Sequence, residues 1–186
     1  MTSVEFASLK IKSKPFQETE IEKGIYLCLL HAKRVPPHIG IIINGNYHSL
    51  TIKGIEPNVQ LKALLKTIAH KKIETVFLKI ALHPVYSIDH LNAMFVEILK
   101  PYTSIKNTEL TCLSPIKEFF LEFYALNSSD KDIIFTFLNH LNNNSFILEA
   151  NSLNLTLENN EVKIPVYSQE QLNEKIKSIR DEYYKD

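Results

Sequence analysis

Cys112, in the segment LTCLSPIKEFF, and His38 and His48, in PPHIGIIINGNYHSLTIKG, are the side chains of this chain whose types could together break an acyl bond. A thiolate attacks a carbonyl carbon, and an imidazole takes the thiol proton and returns it to the leaving group. Cys112 stands just ahead of an amphipathic segment, and unpaired N–H groups at a helix start favour thiolate over thiol. The same amides could face a developing oxyanion. Without such help a cysteine has a pKa of about 8.5 and is mostly thiol at neutral pH.

Two helix starts compete here. Ser114-Pro115 is one, with serine as cap and proline in the first helical position; Cys112 then falls short of the helix. Thr111 is the other, with Pro115 still in the first turn, where its missing N–H costs little. The histidines pose a question of register. Asn44-Gly45 signals a two-residue type I′ turn, which sets His48 opposite Ile41 and on the other face from His38. A three-residue loop shifts the pairing by one and brings both histidines to one face.

In chain order, the apolar strand GIYLCLL, His38 heading HIGIIINGNYHSL, the helix SIDHLNAMFVEILK, and Cys112 before SPIKEFFLEFY resemble the permuted papain-like families, in which histidine precedes cysteine. These include the lecithin–retinol acyltransferase group and related bacterial amidases and peptidases. The resemblance covers about residues 24–125. It implies a cysteine-dependent hydrolase or acyltransferase acting on an amide, ester or thioester. Cys112 would be the nucleophile, His38 the base, and His48 the group that orients the imidazole. One departure is that Thr111 stands where these families commonly carry asparagine or aspartate before the cysteine.

The competing expectation is a non-catalytic α+β domain that binds another protein through exposed sheet or through its tail. His38 is then a hydrogen-bonded residue at a strand start and His48 a solvent-facing one. Cys112 becomes a small apolar filler, since free cysteine is often buried and inert. Cys28, inside an apolar strand, reads as core.

The 21 basic and 21 acidic residues of the 186 cancel, so nothing in the charge suggests nucleic acid as a partner. Four glycines leave little room for a phosphate-cradling loop, and no cofactor is expected. His83 and His90 do not have the spacing of a closed zinc site, so no metal is expected either. The N-terminal segment lacks an apolar signal core, and no apolar run approaches the roughly 20 residues of a membrane span. The expected setting is cytoplasmic, with Cys28 and Cys112 as free thiols. A peptide, a lipid or a small amide remains open as substrate, and a homodimer or another protein as partner.

The elements that must hold these residues follow from periodicity. Residues 1–23 read as an N-terminal arm, 24–150 as a papain-like core, and 151–186 as a hairpin and helix packed on the same domain. Strands are expected over Gly24–Ala32, His38 to Gly54, and IETVFLKIAL. Helices are expected from about Pro57 to His70, over Ser87 to Pro101, after Cys112, and over 128–142. A tail hairpin turns at Glu158 to Asn160, and Ser168 with Gln171 fits a capping box before the last helix. The fold class is α+β with a mainly antiparallel sheet.

Overall fold

The computed structural model describes residues 4–105 and 110–183. Its elements are β1 (Glu5–Lys10), α1 (Glu18–Glu22), β2 (Ile25–Leu30), β3 (His38–Ile43), β4 (Asn46–Thr51), β5 (Gly54–Gln60), α2 (Leu61–His70), β6 (Thr75–Ile80), α3 (Ile88–Leu99), α4 (Ser114–Tyr124), α5 (Ile134–Asn143), β7 (Ile147–Leu153), β8 (Glu161–Val166) and α6 (Gln169–Tyr183). The class is α+β, as expected. Six strands form an antiparallel sheet in the order β5-β4-β3-β2-β6-β7, and β1 pairs with β8 in a separate ribbon.

Alternation along the central strands sends side chains into two cores. Ile39, Ile41 and Ile43 of β3, with Leu27 of β2 and Leu78 of β6, pack against the apolar stripes of α3, α4 and α5. On the opposite face Tyr26, Cys28, Ile42, Tyr47 and Phe77 pack against Leu61, Leu64 and Ile68 of α2. Both faces of the sheet centre are therefore covered, which is why GIYLCLL is apolar throughout. The α3 stripe, Leu91, Phe95, Ile98 and Leu99, is buried, and each such side chain is worth roughly 2 kcal/mol. Ser87 caps this helix by accepting the His90 N–H at 3.2 Å.

Several boundaries differ from expectation. Residues 57–60 belong to β5, and α2 starts at Leu61. β5 is an edge strand, where proline is tolerated because one row of amides needs no partner. Residues 128–133 are turns rather than helix: the Ser129 N–H donates to Asp132 Oδ2 at 2.9 Å and the Asp132 N–H to Ser129 O at 3.0 Å. The turn at Glu158 to Asn160 is present, with Asn159 and Asn160 at φ 55° and 56°. It does not close a hairpin of two strands. β7 pairs with β6, while β8 pairs with β1, Glu5 opposite Val166. β7 crosses position 150, and the N-terminal arm supplies β1. The capping box holds: the Gln171 N–H donates to Ser168 Oγ at 3.1 Å and the Ser168 N–H to Gln171 Oε1 at 2.8 Å. Of the expected loop before Cys112, residues 106–109 lie outside those described. Among the described residues no helix is long and apolar enough to cross a membrane.

Candidate active-site cleft

The β3–β4 turn decides which residues share a face. Asn44 and Gly45 have φ 49° and 73°, the positive values a type I′ turn requires at both central positions. The pairs are Ile43 with Asn46, Ile42 with Tyr47, and Ile41 with His48. His48 thus shares the Ile41 face, while His38, Gly40, Ile42 and Tyr47 share the other. This corrects the expected role of His48 in orienting His38: a two-residue turn with a period of two puts the sheet between them. His48 is instead a buried anchor. Its Nδ1 accepts the Asn58 N–H at 3.1 Å, so the proton sits on Nε2, which meets Asn92 Oδ1 at 2.9 Å. Its ring packs on Phe95 at 5.4 Å. Burial lowers its pKa, and the Asn92 bond offsets only part of that.

Cys112 lies where β3 and β4 part. Pairing of these strands ends at Ile41 with His48, and β4 then bulges against β5 between Tyr47 and Ser49. In an antiparallel pair alternate residues direct their N–H groups to the same neighbour. The Ile39 amide therefore points toward β4 as the Ile41 amide does, but past the end of the ladder. It is among the amides that lower the Cys112 thiol.

The sulfur sits in a turn just ahead of α4. The Ser114 N–H donates to Thr111 O at 3.0 Å, the Leu113 N–H to Thr111 Oγ1 at 3.2 Å, and the Thr111 N–H to Ser114 Oγ at 2.9 Å. Leu113 occupies the cap position without a side-chain cap, and Pro115 falls in the first turn. Neither competing cap is used: Leu113 is the cap and Ser114 the first helical residue, its hydroxyl facing back to accept the Thr111 N–H. Cys112 thus stands outside the helix, where the helix field is weak.

Burial pushes the Cys112 thiol above its ordinary value, while the amides of Ile39, Cys112 and Leu113 and the Arg34 charge pull it partly back. Burial likewise lowers the His38 imidazole to about 4, helped by the charges of Arg34 and His31. At neutral pH the two groups rest as thiol and neutral imidazole. Both line one cleft of about 1670 Å³, together with Arg34, Tyr47 and Tyr167. That is larger than the roughly 300–1,000 Å³ of common small-ligand sites. Tyr167 lies close enough to Cys112 for a charge there to raise its own pKa, after the larger effect of burial.

Cys28 is a buried core residue whose thiol burial pushes up. Neither cysteine is in a disulfide. His83 accepts the Val85 and Tyr86 amides on Nδ1 at 3.1 and 3.0 Å, and both His83 and His90 pack on the Tyr86 ring. Among the described residues no three His, Cys, Asp or Glu side chains are grouped to hold a metal.

Sequence reasoning missed Tyr47, the residue of β4 that does share a face with His38. The available signal was Gly40, a glycine inside an apolar strand, which often marks a close approach. A Cβ there would lie 2.3 Å from Tyr47 Cε2, so the ring crosses β3 only because position 40 has no side chain. Comparison with protein-family models, with curated proteins and with solved structures gave no match.

Proposed function

We propose that the chain is a cysteine-dependent hydrolase or acyltransferase of permuted papain-like order, acting on an amide, ester or thioester. Cys112 attacks the carbonyl carbon, and His38 takes the thiol proton and later gives it to the leaving group. The observation that carries this reading is that one cleft is lined by both groups, and that the amide of Ile39, the residue after His38, is among the groups that lower the Cys112 thiol. A neutral imidazole is the form that accepts a proton. The thiolate and imidazolium produced would attract each other more strongly in a buried cleft than in water. A peptide, an isopeptide, a lipid or a small amide fits the same chemistry, and no cofactor is needed.

A second reading, a non-catalytic interaction domain, draws on the same pKa directions. A raised thiol and a weakened base are what an inert pair also shows. Acylation by p-nitrophenyl acetate separates the two. The enzyme reading expects a burst of p-nitrophenol with the acetyl group mapped to Cys112. The burst disappears in Cys112→Ala and slows about 10²- to 10⁴-fold in His38→Gln. A burst that survives Cys112→Ala, or no acylation of the folded protein, favours the interaction domain.

A further inference from the structure

Among the described residues two buried hydroxyls have no hydrogen-bond partner, those of Tyr26 and Tyr47. A buried donor left unpaired lowers stability, and each such group in a folded protein asks for a reason. Tyr47 is 2% exposed, lies on the His38 face, and forms part of the wall of the cleft that holds Cys112. Its ring is fixed across Gly40, where a Cβ would come 2.6 Å from the phenolic oxygen. The Ser49 hydroxyl lies near enough to lower the Tyr47 phenol slightly but makes no hydrogen bond of proper geometry with it, and donates its own proton to Glu56 Oε2 at 2.9 Å. Burial raises the Tyr47 phenol well above its ordinary value, and the Glu56 carboxylate acts in the same direction against a small lowering from Ser49. The group therefore stays a proton donor across the neutral range. Tyr26 is not part of the cleft wall; the charges around it are those of Glu149, Glu20 and Lys14.

We propose that the Tyr47 hydroxyl is the donor that receives the carbonyl oxygen of the acyl substrate and holds it as an oxyanion while Cys112 attacks. The inference rests on the acyl-transfer reading above and adds the group that recognises the reacting carbonyl. In the first step the Cys112 sulfur bonds to the carbonyl carbon, and the S–H proton passes to His38. The carbonyl π pair moves onto oxygen, which accepts the Tyr47 O–H without taking its proton. On collapse the pair returns to re-form the carbonyl. The bond to the leaving nitrogen, oxygen or sulfur breaks, and that atom takes the proton from His38. Water or an acceptor nucleophile then adds to the thioester by the same route, giving the carboxylic acid or transferred acyl group and the free thiol. Tyr47 is unpaired at rest because its partner arrives with the substrate.

The test compares two reactions at Cys112, acylation by p-nitrophenyl acetate, which passes through an oxyanion, and alkylation by iodoacetamide, which does not. Tyr47→Phe keeps the ring over Gly40 and removes only the hydroxyl. It is expected to slow acylation by about 10²-fold or more, leave alkylation unchanged, and raise the thermal midpoint by removing an unpaired buried donor. Tyr26→Phe, which removes the other unpaired hydroxyl, is expected to leave acylation unchanged. Acylation at the wild-type rate in Tyr47→Phe overturns the inference while leaving the acyl-transfer reading intact. So does an equal loss in both reactions, which marks a packing role, or a lowered midpoint, which marks a structural hydrogen bond. A folded wild-type protein that is never acylated removes the acyl-transfer reading and this inference with it.

Discussion

Burial holds the His38 imidazole at about 4, below its ordinary 6.5, and lowers His48 as well. As pH falls, the unfolded chain takes up these protons first. Stability present above the ordinary value is therefore lost progressively as pH drops toward the folded one. The urea midpoint is expected to decrease between about pH 7 and about pH 5, and the decrease to shrink in His38→Gln. A wild-type midpoint flat over that interval contradicts the burial of both rings. At this scale residue type alone names the proposed pair: Cys112 and His38 stand out as thiol and imidazole in histidine-first order. Tyr47 did not, because its part depends on which face it shares and on the missing Cβ of Gly40, and neither is a property of tyrosine itself.

At the level of elements, the β3–β4 hairpin shows what a turn dictates. Asn44-Gly45 was readable as type I′, and that turn alone sends His48 to the face opposite His38. The residue then links three elements: it lies on β4, accepts an amide of β5 and meets Asn92 of α3. His48→Leu leaves the Asn58 N–H and the Asn92 side chain without this partner, so a loss of about 1–3 kcal/mol is expected from denaturant unfolding. Acylation at Cys112 should be unaffected, and a large loss of acylation with stability intact would restore a role for His48 in the chemistry. Elements with local signals were legible: α3 through Ser87, α6 through Ser168 and Gln171, and β2 and β6 through apolar runs. β5 was not, because Glu56, Pro57 and Asn58 are poor strand formers and only pairing with β4 makes them a strand. Nor was the β1–β8 ribbon, whose partners lie at opposite ends of the chain and leave no local mark.

On the scale of the whole molecule, the sheet separates two cores, and the candidate cleft opens where β3 and β4 part. Helix α6 adds to its wall with Leu172, Ile176 and Ile179, and Leu172 and Ile176 pack with Ile133 and Tyr167 in a third, smaller core. The cleft is thus assembled from the hairpin, the turn before α4, and the C-terminal segment, none of which are neighbours in sequence. That is why its contents could be proposed from residue types but its walls could not. The account stands on Cys112 and His38 acting on one another across that space. The most direct measurement follows the imidazole C–H resonances of His38 by NMR while Cys112 is blocked with methyl methanethiosulfonate. The account predicts that they shift as the block forms, while those of His83, which packs on Tyr86 and Tyr124 outside the cleft wall, do not. His38 resonances unmoved at complete modification would contradict it.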